Sequence, residues 1–465
     1  MAYLAEALEA IRELGPEGGI DRFATSLPPE WIEEALAVTG TASLRRRKLP
    51  AEHAVWLVLG MALFTDRSIR DVVDHLGLVI GHLPSLAPSN VSKARYRLGS
   101  EPIRWLFNRV AQKWSATPGL GDYRGLSLWG VDGTHLRVQD SEENFAHFGK
   151  PGGRAGSNDA GYPQMRVAAL MNLSNRLLAD ARAGPWSTSE LELASELWKQ
   201  VPDDSLTIID RGFMSYMVLL ELVATGRNRH FLIRAKKGLR YEPVEVLADG
   251  TVLALLMPNK NLRRKEKDVP GPIEVRVVSY RGLDGSVCQL FTTLTDCKQY
   301  PADDIIELYH DRWELEIGFD EVKTHMLERK ECLRSKKPDG VYQELWAQLL
   351  VYNLVRREML LAAKAHELPA RRISFRSSLM WIRNFWITAW LTSPGNVPKS
   401  LAEFRSTLDV LILPERRSER RYPRHVKIKM SSYPRNRGRN EQHRKELDLK
   451  SGKPAQAIDL KGETS

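Results

Sequence analysis

The chain is poor in cysteine. It has three in 465 residues, Cys288, Cys297 and Cys332, and none stands in a CxxC spacing. That argues against a disulfide framework and against a paired-cysteine zinc site, and it suits a reducing cytoplasm. Long apolar runs are also missing. Arg356, Arg357 and Arg383 interrupt the most apolar late helices, so no membrane span is expected. The first stretch, MAYLAEALEAIRELG, is amphipathic and carries acids, unlike a secretory leader. There is no GxxxxGK[ST] loop and no HExxH, so neither a nucleotide cofactor nor zincin chemistry is expected. Gly149-Lys150-Pro151-Gly152-Gly153 is only a Gly-rich basic turn.

What the chain does have is positive charge, unevenly placed. Lys and Arg outnumber Asp and Glu by 68 to 58, a net of +10, which favours a polyanionic partner. Residues 414–450 alone hold thirteen Lys/Arg against five Asp/Glu. The basicity therefore belongs to a tail. That tail repeats Tyr-Pro-Arg at 422–424 and 433–435, has few apolar residues, and is expected to be disordered when free.

Ahead of it the patterning changes several times. Residues 1–115 read as helical, with Ala51 to Thr65 as a mostly apolar core helix and SLRRRKLP before it. Within this region, residues 68–77 and 88–99 form two helices around a turn region, and the second carries Lys93, Arg95 and Arg97. That layout suits a helix-turn-helix whose second helix enters a groove; it equally suits a small bundle with a solvated basic face. From 116 to 235, strands alternate with helices, as in an α/β mixed sheet with flanking helices. Residues 236–300 are β-rich and interrupt it, and residues 301–413 return to helices. The expected domains are thus 1–115, 116–235 continued by 301–413, the insertion 236–300, and the tail 414–465.

The stretch that organises the rest is ADDIIELYHDRWELEIGFDEVK, from Ala302 to Lys323. On one helix, Tyr309, Arg312, Glu316 and Lys323 would fall within an arc of roughly 60°. A phenol, a guanidinium, a carboxylate and an ammonium on one face suit the gripping of a phosphate and the holding of a metal ion. Two further acids, Asp132 in GVDGT and Asp210 in IIDRGF, each follow an apolar strand. Carboxylates there project into the crevice where α/β sheets bind ligands. Three hard oxygen donors suit Mg²⁺ or Mn²⁺, and a two-ion site clamps the attacking and leaving oxygens of a phosphodiester. Each acid alone is weak evidence, because Asp before Gly is an ordinary turn former and Glu316 could pair with a neighbouring Arg.

Together, GVDGT, IIDRGF and Tyr309-x2-Arg312-x3-Glu316-x6-Lys323 resemble the signature of DDE transposases of insertion-sequence family 4, whose Tyr-Arg-Glu-Lys motif has this spacing. The resemblance covers most of residues 20–440. It implies an RNase H-like mixed sheet with a β-rich insertion before the Glu helix and an all-helical N-terminal domain. Asp132, Asp210 and Glu316 would be the catalytic, metal-binding triad for two Mg²⁺ or Mn²⁺ ions. The partners implied are double-stranded DNA, as terminal inverted repeats and target, and a second copy of the chain in a homodimeric DNA complex. In similar enzymes the equivalents of Tyr309 and Arg312 contact phosphates near a flipped end base, and that of Lys323 lies near the transferred end. Some relatives add a Trp from the insertion. Residues 236–300 contain none, so Tyr280 or Phe291 would have to substitute. Further candidate DNA contacts are Arg211, Trp313, Lys93, Arg95 and Arg97, with Arg263, Arg264 and Lys265 in the insertion. Arg211 could instead cap carbonyls, and Trp313 could instead belong to the core. Rival readings are a nuclease on the same fold that cuts without joining, a DNA-binding relic, and a glycosidase. The relic would be expected to have lost an acid, and the glycosidase leaves the basic tail unexplained.

Overall fold

The computed structural model describes residues 27–42, 49–76, 88–115, 122–151, 161–236, 239, 241–258, 262, 264, 271–281, 286–328, 332–388 and 411–413. The basic run Arg45–Lys48, the turn between the two N-terminal helices, Arg263, Lys265 and the tail lie outside them. No described helix is long and apolar enough to cross a membrane.

Among the described residues, five helices come first: α1 (Pro29–Val38), α2 (Ala51–Leu63), α3 (Ile69–Leu76), α4 (Pro88–Leu98) and α5 (Glu101–Ser115). Of the residues in α2, only Glu52 is not buried, because a helix apolar on all sides must be enclosed by others. Its partners include α4 and α11 (Pro338–Ala365), the long helix that also packs against α5. The N-terminal helices and the later segments therefore share one hydrophobic core.

A sheet of ten strands among the described residues follows: β1 (Ser127–Val138), β2 (Gln164–Asn172), β3 (Leu178–Pro185), β4 (Ser205–Ile209), β5 (Arg229–Arg234), β6 (Tyr241–Val246), β7 (Val252–Leu256), β8 (Ile273–Arg281), β9 (Val287–Thr292) and β10 (Cys332–Leu333). The strand order is β3-β2-β1-β4-β5-β9-β8-β7-β6, with β10 paired to β1, and α6 (Glu142–Phe148), α7 (Glu190–Ala194) and α8 (Tyr216–Ala224) lie between its strands in the chain. The stretch 236–300, which interrupts the chain, does not interrupt the sheet. Its last strand, β9, pairs antiparallel with β5, and the other three follow outward.

Two local expectations change. The Asp132-Gly133-Thr134 stretch does not end a strand; β1 runs straight through it. Its neighbour β4 stops at the Val131–Ile209 pair, while β2 stays paired out to Arg137 and β10 takes the open edge at Arg137. The organising stretch is also not one helix. It is α9 (Ala302–His310), α10 (Trp313–Asp320) and a π-helical segment, Glu321–Met326. Tight bonds from Asp311 to Leu308 and from Glu314 to Asp311 break it between α9 and α10, and a wide bond from Leu327 to Val322 closes the π segment.

Candidate active site

The parallel pairing of β1, β4 and β5 puts three residues in a row. Val131 pairs with Ile209, and Ile209 with Ile233, so Asp132, Asp210 and Arg234 each stand one residue further on. Side chains alternate along a strand, so all three face the same side as Leu128, Ile208 and Leu232. Helix α10 lies over that side. Two glycines let it come close: a Cβ on Gly130 of β1 would strike Leu315 of α10, and one on Gly318 would strike Met171 of β2. Glu316 is thereby carried to the two aspartates.

Backbone amides fix the aspartate carboxylates. Gly133 N–H donates to Asp132 Oδ1 at 2.7 Å, and Gly212 N–H donates to Asp210 Oδ2 at 2.8 Å in a 3₁₀ turn, Arg211–Phe213. Arg312 stands between Asp210 and Glu316. Its Nη1 donates to Glu316 Oε1 at 2.7 Å and lies 3.6 Å from Asp210 Oδ1. Burial, reinforced by Asp210 and Glu316, pushes the Asp132 carboxyl up to about 6, against the pull of the Gly133 amide and Arg312. Tyr309 is buried, and loss of solvent pushes its phenol up to about 12, so it is a neutral hydrogen-bonding group in a neighbourhood with Arg312, Asp210, Arg234 and Tyr280. Trp313 is 54% exposed, with the Arg312 guanidinium 5.2 Å from its ring centre, so it is not a core residue.

Behind α10 lies a second charged cluster. Arg176, in the β2–β3 turn at φ 59°, ion-pairs with Glu314 and reaches Glu321 Oε1 at 3.0 Å. Arg356 of α11 also pairs with Glu321, and Tyr352 OH donates to Glu321 Oε2 at 3.2 Å. These buried pairs hold the segment on both sides of Glu316.

The structure thus brings together Asp132, Asp210, Glu316, Arg312, Tyr309 and Trp313. Arg211 is exposed beside Asp210, and Lys323 is half-buried in the π segment. Lys93 and Arg97 are exposed on α4. Arg95 is a correction. It is buried and donates to Gln343 Oε1 (2.6 Å), Ser335 Oγ (2.5 Å), Gly340 O (3.0 Å) and Glu344 Oε1 (2.9 Å), so it anchors α4 to the core and reaches no groove. Phe291 is another: it is fully buried against Tyr241 and offers no base a platform. Arg234 was missed. Its signal was available, because HFLIRA ends an apolar strand on a charged residue as IID does.

As the side chains stand, no three His, Cys, Asp or Glu among the described residues are grouped to hold a metal ion. The donor chemistry nevertheless fits a hard divalent cation. Two carboxylates already share one cationic nitrogen, and burial, reinforced by their negative charge, raises the third.

Comparison with known proteins identifies the family. Residues 17–108 match the family described as insertion element 4 transposase N-terminal, and residues 127–354 match the transposase DDE domain. The chain is 38% identical over 411 residues to the transposase InsG for insertion sequence element IS4 of Escherichia coli K12, covering 88% of this chain and 92% of that protein. It is 36% identical over 237 residues to a putative transposase InsZ of the same organism, covering 50% of this chain and 77% of that one. A piggyBac transposase in a synaptic complex with hairpin DNA shows a loose likeness, with a TM-score of 0.41 at 11% identity over 87% and 86% of the two chains. The DDE domain implies use of a divalent metal in general and, with the mixed sheet seen here, an RNase H-like core. The chain belongs to the insertion-sequence 4 family of DDE transposases, enzymes of cut-and-paste DNA transposition.

Proposed function

We propose that Asp132, Asp210 and Glu316 hold two Mg²⁺ or Mn²⁺ ions and act on the terminal inverted repeats of an insertion element, joining the freed 3′ ends to target DNA. The observation that carries this is the meeting of three acids, 132, 210 and 316, from two parallel strands and the helix laid over them. When bound, the ions would supply charge neutralisation and activation of the attacking oxygen. The chain's own residues would do the rest. Arg312, released from its two acids, and Arg234 would grip phosphates beside the scissile bond, Arg312 as a bidentate fork. Neutral Tyr309 would donate to a phosphate oxygen, and exposed Trp313 offers a stacking face for an unpaired base. Half-buried Tyr280 is the remaining aromatic of the insertion near this neighbourhood. Lys323 would serve the transferred end, and Arg211 a flanking phosphate.

Recognition of the ends is assigned to residues 1–115, through Lys93 and Arg97 on α4, with sequence-independent phosphate binding from Arg264 and the basic tail. Pairing of two ends calls for a homodimer in the DNA complex. The enzyme would work at the bacterial nucleoid, in the cytoplasm.

The test is cleavage and joining of a labelled inverted-repeat duplex with Mg²⁺ or Mn²⁺, wild type beside Glu316→Gln. Both steps should fall at least about 10³-fold in the variant while DNA binding persists. Cutting without joining by the wild type would instead identify a nuclease.

A further inference from the structure

Helix α4 is amphipathic in an unusual sense, because one of its two arginines, Arg95, is buried and the other, Arg97, is exposed. Arg95 is spent on Gln343, Ser335, Gly340 and Glu344, four partners in the segment that joins β10 to α11 and in the first turns of α11. The same junction is tied down at two more points. Ser100 donates through both its N–H and its hydroxyl to Asp339 Oδ1, at 3.1 and 2.7 Å. Ser141 Oγ donates to Lys336 O at 2.6 Å. The buried bonds of Arg95 therefore hold α4 to the junction, and the Ser100 and Ser141 bonds brace the junction from either side.

On the outer side, Lys93, Tyr96 and Arg97 share one exposed face of α4, at spacings of three and four residues. Lys336 and Lys337, in the junction, are exposed beside it, with the Lys337 ammonium 5.5 Å from the centre of the Tyr96 ring. Of the acids on these two elements and the turn between α4 and α5, Glu344 pairs with Arg95, Asp339 accepts from Ser100, and Glu101 lies 3.7 Å from Arg104. None of Lys93, Arg97, Lys336 and Lys337 forms an ion pair among the described residues. Four cations around one half-exposed phenol remain, on a surface that belongs partly to α4 and partly to the catalytic core.

We infer that Lys93, Arg97, Lys336 and Lys337, with Tyr96 between them, form one continuous binding track for the sugar–phosphate backbone of duplex DNA, crossing from the N-terminal helices onto the core. The inference rests on the DNA-processing reading above and adds to it. End recognition and the core are rigidly coupled through the Arg95 anchor, and Lys336 and Lys337 bind phosphates without reading sequence. Cations spaced over a fixed surface suit the repeated charges of a helix backbone, and lysine binds them as point charges.

The experiment uses the full-length chain in EDTA, where cleavage is blocked. Binding of an inverted-repeat duplex and of an unrelated duplex is measured by fluorescence anisotropy between about 50 and 200 mM salt. The proteins are wild type, Lys336→Ala/Lys337→Ala, Lys93→Ala/Arg97→Ala and the fourfold variant. Each pair should make the log–log salt dependence shallower by about 2, and the fourfold variant by about 4, at roughly 0.9 per lost phosphate contact. The lysine pair should weaken both duplexes equally, with an unchanged melting temperature because both side chains are exposed. An unchanged slope in the lysine pair overturns the track, as does a loss confined to the inverted repeat. The metal-dependent cleavage test above is separate. Wild type that cuts while the lysine pair shows a normal slope sinks only this inference, and wild type that neither binds nor cuts sinks the reading beneath it.

Discussion

Two arginine–carboxylate clusters sit on opposite sides of α10, built from the same chemistry with opposite results. Behind the helix, Arg176 and Arg356 meet Glu314 and Glu321, two charges of each sign, all buried. In front, Arg312 faces Asp132, Asp210 and Glu316, with Asp210 and Glu316 between a third and two-fifths exposed. The rear cluster is neutral and closed, and it holds a backbone in place. The front cluster is short of positive charge and open, and it invites cations. What separates a structural ion network from a reactive one here is stoichiometry and water, not residue type.

The largest expected effect breaks the rear cluster. Arg176→Met leaves Glu314 without its cation and Glu321 with one of two, both buried, and should cost about 3–5 kcal/mol in denaturant unfolding. Arg312→Met removes the same charge from the front and should cost about 1 kcal/mol or less, because its partners reach solvent. Millimolar Mn²⁺ should restore stability to Arg312→Met and do nothing for Arg176→Met. Equal losses in the two variants, or equal rescue, would erase the distinction.

These clusters also show what local sequence can carry. Asp132, Asp210 and Glu316 were legible because each sits in a short motif, and the order of the motifs is informative. The rear cluster was not, since Arg176 and Glu314 meet across 138 residues and nothing near either announces the other. Arg95 misled for the same reason: its basic helix looks like a groove reader, and its partners lie some 240 residues away or more. The helix-wheel argument for Ala302–Lys323 assumed a uniform 100° step, which fails where the backbone tightens at Asp311 and widens at Glu321. Tyr309, Arg312 and Glu316 nonetheless stay neighbours, because Arg312 lies at the break and bonds Glu316 one turn on, while Tyr309 ends the preceding helix beside it.

A medium effect sharpens the front cluster through pH. The Asp132 carboxyl lies at about 6 in the folded chain, against 3.8 for its ordinary value. The folded state therefore keeps a proton that the unfolded state gives up, and this group's contribution to stability declines as pH rises from about 4 to about 6. A metal ligand must be deprotonated, so Mn²⁺ affinity should climb through the same window and level off near pH 7, with a proton released on binding near pH 6. Calorimetry in buffers of different protonation enthalpy measures that release, and Asp132→Asn should abolish it.

The smallest effect concerns Trp313. Trp313→Ala should change unfolding free energy by about 0.5 kcal/mol or less, as expected for an exposed side chain. It should nevertheless weaken binding to an end carrying an unpaired base by about 1–3 kcal/mol, measured by competition with a fully paired end. Loss of stability without loss of binding would return this tryptophan to the fabric of the fold.

The row of residues 132, 210 and 234 has a consequence for how the enzyme comes into being on the ribosome. A growing chain lays down both aspartates and their strands long before Glu316 emerges, and the edge of β1 beyond Asp132 waits for β10, where Arg137 meets Cys332. An unfinished chain, or a fragment released within the β-rich insertion, therefore carries two of the three acids and no lid helix over them. Such a fragment also lacks α11, against which α2 and α5 pack. On the proposed assignment it would have no means to cut DNA, because translation supplies Glu316 and its helix last.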